Sequence, residues 1–358
     1  MLWTWDKCVG MVLCCVCSLV GALLLHTLSL ATYTSALPVL CLLSVLCYLY
    51  RASREVDVRG RVVLITGCDS GFGLALALHL HKLGVVVVAG VLREDSEGAK
   101  QLKKEQGSTP SIHVIPFDVT SPQQLSQAAQ TLAQLLPSEG LWGLVNNAGV
   151  CSLGPVEWLA FDTFKRDTQV NLFGLVAATR TFLPFVRRAK GRVVSIASVA
   201  GRVSCGFLGA YCASKYAVEG FNDALRHEMR PFGVKVALVE PGNFANGTQL
   251  FATDEVVERE VAGLWDELSE DLKHDYGNRY CKKIEGFMKN FRRTGARDIS
   301  PVVNALTEAL TQEHPQARYC PMDPLAHAVT WIATHLPEAV YDSMVALLAR
   351  LMLEADEV

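Results

Sequence analysis

The feature that most constrains this chain is an uncharged run of 43 residues, 8–50, close to its N-terminus. A lipid bilayer leaves a backbone only two spanning forms, the helix and the closed barrel, because lipid offers no hydrogen-bond partners. One helix crosses the hydrocarbon core in about 20 residues, so the run has room for two helices broken near His26 to Pro38. One long span followed by an interfacial segment is the alternative. Residues 1–50 are therefore predicted to form a membrane anchor of one or two spans, with membrane lipid as a partner.

The residues around this run indicate how it is used. A cleaved secretory signal has an apolar core of about 7–15 residues, far shorter than the run found here. Mitochondrial transit peptides are rich in Arg, and residues 1–50 contain none. By the positive-inside rule, Lys7 before the run and the basic residues after it place both the N-terminus and the rest of the chain on the cytosolic side. We expect a retained anchor in the endoplasmic-reticulum or mitochondrial membrane; the basic residues are Arg51, Arg54, Arg59 and Arg61.

Composition excludes several classes of protein. The chain has 33 Lys and Arg residues against 36 Asp and Glu, which leaves no net positive field to attract nucleic acid. Its hydrophobic fraction of 50% excludes a disordered chain. Outside the anchor the cysteines form no CxxC pair, and zinc sites depend on such close spacing. We therefore expect neither a nucleic-acid partner nor a bound metal.

Beyond residue 57 the sequence alternates short β-branched runs with longer amphipathic stretches. Continuous apolar runs are typical of strands buried on both faces, and their alternation with helical patterns is typical of a parallel sheet with helical crossovers. We therefore predict a doubly wound α/β domain over 58–325. The apolar runs are 61–67, 85–91, 112–119, 143–149, 192–198 and 234–242.

Two segments depart from this alternation. Residues 251–291 are charged and carry apolar residues at helical spacing, which predicts an inserted pair of helices. Because ligands bind at the carboxyl edge of such a sheet, we expect the pair to form a lid over substrate, with a surface decoration as the alternative. Residues 326–358 form an apolar tail, predicted as a helix interrupted at Pro337. The tail packs on the domain or lies in the bilayer interface.

A glycine-rich turn follows the first apolar run. Three glycines stand between a predicted strand and a predicted helix. Such a turn lets the backbone approach a pyrophosphate closely, and the unpaired amides and dipole of the helix N-terminus favour negative charge. A tight turn without a ligand is the alternative. The candidate cofactor-binding residues here are Thr66, Gly67, Ser70, Gly71, Phe72 and Gly73.

The spacing of these glycines, Gly-x3-Gly-x-Gly, resembles the short-chain dehydrogenase/reductase family, and the similarity continues to about residue 325. The segment 146–149 matches the NNAG motif of that family. The family's catalytic residues follow in order as Asn171, Ser198, Tyr211 and Lys215. The resemblance implies a Rossmann-type doubly wound sheet, a nicotinamide dinucleotide, a secondary alcohol or ketone as substrate, and a homo-oligomer. It also implies cofactor contacts from Asp118, Asn147, Ala148, Gly149, Tyr211, Lys215, Pro241 and Gly242.

The Tyr-x3-Lys spacing also has a chemical reason. A phenol has a pKa near 10 and is a poor base at neutral pH. Residues four apart share a helix face, so Lys215 is expected to lie beside Tyr211 and to lower the pKa of its phenol. The phenolate then takes the alcohol proton as hydride leaves, or returns it during reduction. Ser198 would hold the reacting oxygen, and the resemblance implies that Lys215 also holds the nicotinamide ribose and that Asn171 holds a water on the proton path.

The choice between NAD and NADP depends on the end of the second apolar run. An acid there favours NAD by binding the ribose 2′-hydroxyl, and an Arg favours NADP. Gly90 stands where many family members have Asp, while Arg93, Glu94 and Asp95 follow it. Either acid could reach the ribose, and Arg93 could reach a phosphate. NAD is the expected cofactor, with NADP as the alternative.

The substrate prediction rests on resemblance within the family. The segments TGCDSGFG, EPGNF and YCPMD resemble the branch that oxidises D-β-hydroxybutyrate, which implies a short 3-hydroxy acid whose carboxylate Arg202, Gln249 or Lys283 could hold. The uncharged anchor instead resembles hydroxysteroid and retinol dehydrogenases, whose substrates need an apolar cleft. Asn246 occupies the usual threonine position of the family's PGxxxT motif, with Thr248 two positions later. A non-catalytic membrane adaptor that kept the fold is a third alternative.

Overall fold

The computed structural model describes residues 5–105, 111–248 and 253–355. At its centre lies a seven-stranded sheet whose strands are β1 Val62–Ile65, β2 Val86–Val91, β3 Ile112–Pro116, β4 Gly143–Asn146, β5 Arg192–Ile196, β6 Lys235–Val239 and β7 Arg318–Tyr319. The strand order is β3-β2-β1-β4-β5-β6-β7, and every pair of neighbours is parallel. The predicted parallel α/β fold is confirmed. The strand that sequence analysis missed is β7, because two residues are too few to show a hydrophobic pattern.

Helices flank the sheet and extend the chain at both ends. The helices are α1 Trp5–Thr27, α2 Tyr33–Ser53, α3 Gly71–Lys82, α4 Glu97–Lys104, α5 Pro122–Leu135, α6 Phe161–Thr168, α7 Leu175–Ala189, α8 Gly209–Met229, α9 Asp254–Asp266, α10 Glu270–Thr294, α11 Ser300–Thr311, α12 Pro324–His335 and α13 Glu338–Ala355. One π-helical turn, Gln169–Gly174, joins α6 to α7.

The central strands are apolar throughout because both of their faces are covered. In β1, Val63 and Ile65 pack with α3 and α11, while Val62 and Leu64 pack with α5 and α7 on the other side. Alternate side chains of a strand point to opposite faces, so a strand covered on both faces needs no polar positions. Two apolar layers therefore hold the sheet rigid beneath the loops at its carboxyl edge.

The uncharged N-terminal run forms the helices α1 and α2, with the break at residues 28–32. Both helices are long and apolar enough to cross a membrane. Their apolar side chains are largely exposed, for example Leu24 at 58% and Leu42 at 61%. Exposed apolar patches of this extent are untypical of water-facing surfaces. The length and composition of the two helices are therefore compatible with a membrane anchor.

The two ends of this helical hairpin meet the catalytic domain at one place. Lys7 near the start of α1 donates to Glu308 at 2.9 Å, although 301 positions separate them. Arg54, just after α2, pairs with Glu313 at 2.8 Å. Both acids lie at the C-terminal end of α11, beside the amino ends of the strands. The hairpin thus joins the sheet at the edge opposite to the carboxyl ends of the strands.

The helices α9 and α10 pack over the carboxyl edge of the sheet through an aromatic cluster. Trp158 lies between Trp265 of α9, at 5.3 Å between ring centroids, and Tyr276 of α10, at 5.4 Å. Asp254 of α9 bonds Arg292 of α10 at 2.5 Å, which fixes the two helices to each other. Of the predicted insertion, residues 251 and 252 lie outside the described part of the chain.

The tail forms two helices, α12 and α13, which are separated at Leu336 and Pro337. Tyr341 of α13 donates to the carbonyl oxygen of Ser204 at 3.2 Å, so the tail contacts the domain near the carboxyl edge of the sheet. Residues 356–358 lie outside the described part of the chain.

Candidate active site

A cleft of about 900 Å³ opens at the carboxyl edge of the sheet. Most of the candidate site residues from the sequence analysis line this cleft. They are Gly67, Ser70, Gly71, Phe72, Asp118, Asn147, Ala148, Gly149, Ser198, Tyr211, Lys215, Pro241 and Gly242. Thr66, Gly73 and Asn171 are placed behind that wall. These three support the lining residues rather than face the cleft.

The glycine-rich turn has a backbone that only glycine adopts without strain at two positions. Gly67 has φ +70° and Gly71 has φ +57°, both in the left-handed region. A Cβ on Gly67 would lie 2.8 Å from the Cα of Ala148, so the turn also packs against the loop after β4. The turn leads into α3, whose N-terminal amides face the cleft. This arrangement fits a pyrophosphate group.

Hydrogen bonds join this turn to the loop that follows β4. The Asn147 side-chain amide donates to the carbonyl oxygens of Thr66 and Gly67, both at 2.8 Å. The Thr66 hydroxyl accepts the backbone N–H groups of Asn147 and Ala148, both at 3.0 Å. Thr66 and Asn147 therefore fix the two loops in register and leave the backbone of each available on the cleft wall.

Within the glycine-rich turn, Gly73 is the position at which a side chain is least tolerated. A Cβ there would lie 2.4 Å from the Asn147 amide nitrogen and 2.5 Å from the Gly67 carbonyl oxygen. We expect Gly73→Ala to separate the two loops at an overpacking cost of about 1–3 kcal/mol, and therefore to raise the Kd for NADH about tenfold. Fluorescence titration with NADH measures the change.

The matched control is Gly263→Ala in α9, where no atom lies within 4 Å of the added Cβ. It is expected to leave NADH binding unchanged and to raise stability by up to about 1 kcal/mol. Wild-type NADH affinity in Gly73→Ala would contradict the role assigned to this contact.

Ser198, Tyr211 and Lys215 converge at one wall of the cleft, and Asn171 lies behind the lining residues. The Lys215 ammonium lies 5.6 Å from the centre of the Tyr211 ring and donates to the Ile196 carbonyl oxygen at 2.8 Å. Tyr211 shares a hydrogen bond with Ser198. Asn171 lies in the π-helical turn and bonds the backbone of Val150, accepting at 2.8 Å and donating at 2.9 Å. Side chains from the π-helical turn, from the segment after β5 and from α8 are thus brought together.

Burial controls the electrostatics of this group. Burial raises the pKa of the Tyr211 phenol, the nearby Cys151 thiol adds to the rise, and the hydrogen bond with Ser198 lowers it. Burial lowers the pKa of the Lys215 ammonium to about 8. The predicted lowering of the Tyr211 pKa is therefore wrong in sign for this chain. The helix spacing was read correctly, but the loss of water around the phenol outweighs the ammonium beside it.

The end of β2 differs from what the sequence suggested. Arg93 pairs with Asp95 at 3.1 Å and Glu94 pairs with Lys103 at 3.0 Å, and none of these side chains lines the cleft. A residue inside the glycine-rich turn, Asp69, lines it instead. Its carboxylate accepts the backbone N–H groups of Leu92, at 2.8 Å, and Arg93, at 3.1 Å. Sequence analysis missed Asp69, although it stands beside the predicted glycines. Its carboxylate reaches the residues that follow β2 only in the folded chain.

The candidates for holding a carboxylate are not brought into the cleft. Arg202 lies 3.7 Å from the buried Glu240, and Lys283 is exposed on α10. Gln249 lies outside the described residues. A cation that sequence analysis missed, Arg166, does line the cleft. In the shifted PGxxxT motif, Thr248 lines the cleft and Asn246 does not.

A family model described as short chain dehydrogenase matches residues 61–256, which is more than half of the chain. The chain is a short-chain dehydrogenase/reductase. Like other members of the family it is a nicotinamide-dependent oxidoreductase.

Within the family, the chain resembles particular dehydrogenases. The chain is 43% identical to the mitochondrial D-beta-hydroxybutyrate dehydrogenase of Bos taurus over 82% of this chain and 86% of that one. It is 40% identical to retinol dehydrogenase 7 of Mus musculus over 76% and 84% of the two chains. A solved short-chain dehydrogenase from Streptomyces avermitilis, 27% identical, superposes with a TM-score of 0.61 over 84% of this chain and 98% of that one. The resemblance to D-β-hydroxybutyrate and retinol dehydrogenases is thus confirmed at the level of sequence.

Proposed function

We propose that this protein is a membrane-anchored dehydrogenase that interconverts a short 3-hydroxy acid, such as D-3-hydroxybutyrate, and its ketone with NAD. The observation that carries the proposal is the convergence of Ser198, Tyr211 and Lys215 on one wall of the cleft. The 43% identity to a D-beta-hydroxybutyrate dehydrogenase supports the choice of substrate.

The residues present fit a dinucleotide. The left-handed glycines Gly67 and Gly71 and the N-terminus of α3 form a cradle for the pyrophosphate, and Asp118 and Lys215 line the same cleft. When bound, the nicotinamide ring supplies or accepts the hydride. Asp69 supports NAD over NADP, because a carboxylate on the cleft wall repels the additional phosphate of NADP.

The chain's own residues then manage the proton. Ser198 donates a hydrogen bond to the substrate oxygen and holds it beside the Tyr211 hydroxyl. During ketone reduction, Tyr211 gives its proton to the alkoxide oxygen; during alcohol oxidation, the phenolate takes it back. Lys215 stabilises the phenolate with its charge. Asn171 holds the backbone of Val150, which lines the same cleft.

The position of the anchor supports a water-soluble substrate. The helical hairpin joins the sheet at the amino ends of the strands, whereas the cleft opens at their carboxyl ends. The cleft therefore faces away from the bilayer that would hold the hairpin. Besides Lys215, Arg166 places a second cation on the cleft wall, where it can pair with a substrate carboxylate.

A retinoid or steroid alcohol is the second candidate, because much of the wall near Tyr211 is apolar. Cys151, Leu208 and Phe291 line the cleft, and Phe291 comes from α10 of the insertion. In this view α9 and α10 form a lid that excludes water from an apolar substrate.

One experiment separates the two candidates. Full-length protein in detergent is offered NAD or NADP with D-3-hydroxybutyrate, a hydroxysteroid or all-trans-retinol, and formation of the reduced cofactor is followed. We expect turnover of D-3-hydroxybutyrate with a preference for NAD. Turnover of only the lipid alcohols would reject the hydroxy acid, and a preference for NADP would reject the role given to Asp69.

We further propose that both ends of the hairpin lie on the catalytic side of the membrane, as supported by the Lys7–Glu308 and Arg54–Glu313 ion pairs. In sealed vesicles, protease should remove an N-terminal epitope tag together with the catalytic domain. A tag inserted at residues 28–32 should be protected. Protection of the N-terminal tag while the domain is digested would instead indicate a single span.

A further inference from the structure

Asp167 of α6 is a fully buried carboxylate, with 0% of its surface exposed, that the mechanism above does not use. Its two oxygens accept the backbone N–H of Ser152 at 3.0 Å and the Ser152 hydroxyl at 2.6 Å. Arg166 donates to the same hydroxyl at 2.6 Å and lies 3.5 Å from the carboxylate. A buried charge is costly, so a polar group at this depth beside a reaction site calls for an explanation.

These bonds hold the wall of the cleft. Ser152 follows Val150 and Cys151, which both line the cleft. Asn171 fixes Val150 from one side, and Asp167 fixes Ser152 from the other. Cys151 lies between the two fixed points and packs in the same cluster as Tyr211. The position of this wall relative to the phenol therefore depends on Asp167.

The charged groups near the Tyr211 phenol differ in how far water screens them. Burial, and after it Cys151, Cys212 and Asp167, raise the pKa of the Tyr211 phenol, and the hydrogen bond with Ser198 lowers it. The Lys215 ammonium lies 5.6 Å from the centre of the ring. The side chain of Arg166, the cation nearest to Asp167, is 62% exposed, so water screens its charge more than that of the buried carboxylate.

Cys151 experiences the same field, together with one further acid. Its thiol faces Asp167, Lys215 and Cys212, and Glu260 of α9 adds another negative charge. Burial and then Asp167 raise the pKa of this thiol, and Asp167 also contributes to the raised pKa of Tyr211. Besides burial, Asp167 thus raises the pKa values of both Cys151 and Tyr211.

We propose that Asp167 is a positioning residue of the reaction site, which ties the cleft wall to α6 through Ser152 and holds a fixed negative charge behind Cys151 and Tyr211. This inference rests on the proposed acid–base role of Tyr211. Its consequence is that Asp167 adds to the rise that burial causes in the pH at which the phenol changes from proton donor to base.

The test compares Asp167→Asn with Ser152→Ala. Asparagine keeps a hydrogen-bonding group at each position but removes the charge, whereas Ser152→Ala keeps the charge and removes hydrogen bonds. We expect Asp167→Asn to lower the midpoint of the pH profile of kcat/KM for alcohol oxidation by about 0.5–1 unit. Ser152→Ala is expected to change kcat and KM without moving that midpoint.

A second readout does not require turnover. The rate of iodoacetamide alkylation of Cys151, followed by peptide mass spectrometry across pH, should show the same downward shift in Asp167→Asn. If the wild-type protein turns over no alcohol, the proposed function fails while the alkylation profile still decides the role of Asp167. If Asp167→Asn does not fold, Arg166→Met should move the alkylation midpoint upward, because it removes the cation 3.5 Å from the carboxylate. The shift should be smaller than the downward shift in Asp167→Asn, because water already screens the charge of Arg166. The proposal would be overturned if the pH midpoint of Cys151 alkylation did not move in a folded Asp167→Asn. If that variant does not fold, an unmoved midpoint in Arg166→Met would overturn it.

Discussion

Tyr211→Phe should lower kcat for alcohol oxidation by about 10²–10⁴-fold while leaving the Kd for NADH within about twofold of wild type. The substitution removes one oxygen atom and keeps the ring, which is partly buried and packs in one cluster with Cys151, Leu208 and Cys212. The proton then has no acceptor within reach of the substrate oxygen. Because the lost interaction acts on the reacting proton, the loss is expected in kcat rather than in cofactor affinity.

Tyr216→Phe is the matched control, since Tyr216 lies on the same helix but is 43% exposed and does not line the cleft. It should retain wild-type kcat and KM. Stopped-flow measurement of NADH formation, together with NADH titration of each variant, separates chemistry from binding. Unchanged turnover in Tyr211→Phe would reject the proposed mechanism.

Arg318→Met should destabilise the protein by about 3–5 kcal/mol, because it leaves the buried carboxylates with only the more distant Arg202 as a counter-charge. Arg318 of β7 bonds Glu219 of α8, and it bonds Glu240 after β6 and Asp223 of α8 at 2.5 Å each. Glu219 and Glu240 are only 6% and 2% exposed. The guanidinium therefore ties the last strand to the helix that carries Tyr211 and Lys215.

The effect should depend on pH. Burial and the neighbouring Glu240 raise the pKa of Glu219 even with Arg318 present. A raised carboxyl pKa means that the folded state binds more protons than the unfolded state, so the penalty is complete above the folded pKa and falls as pH decreases. We expect the deficit in Arg318→Met to be larger at pH 8 than at pH 5.

Thermal unfolding of the full-length protein in detergent measures this effect, with a midpoint expected to fall by about 10 °C at pH 8. The control is Arg226→Met, whose ion pair with Asp223 at 3.1 Å is part-exposed. Such surface pairs contribute about 0–1 kcal/mol. Equal midpoints for the two variants would show that the buried cluster contributes no more than a surface pair.

The parts of the site that could be predicted are those whose residues lie a few positions apart in the sequence. The glycines 67, 71 and 73 stand within one turn, and Tyr211 and Lys215 share one helix face because they are four residues apart. The sheet was predictable for the same reason, since a strand covered on both faces is apolar at every position. Asp69 and Asp167 were missed although they stand close to predicted residues, because no spacing indicates which backbone groups their carboxylates will meet.

The sequence by itself determined the α/β class, the uncharged run near the N-terminus, the glycine-rich turn and the order of the candidate catalytic residues. Only the tertiary structure decided the docking of Lys7 on Glu308, the Arg318 cluster and the pinning of Ser152 by Asp167. It also decided the direction of the Tyr211 pKa shift, because that shift follows from how much water the phenol loses. Periodicity and turn chemistry act between residues a few positions apart, whereas burial and long-range ion pairs depend on segments up to 301 positions apart in the chain. Such contacts exist only once the sheet has brought those segments together.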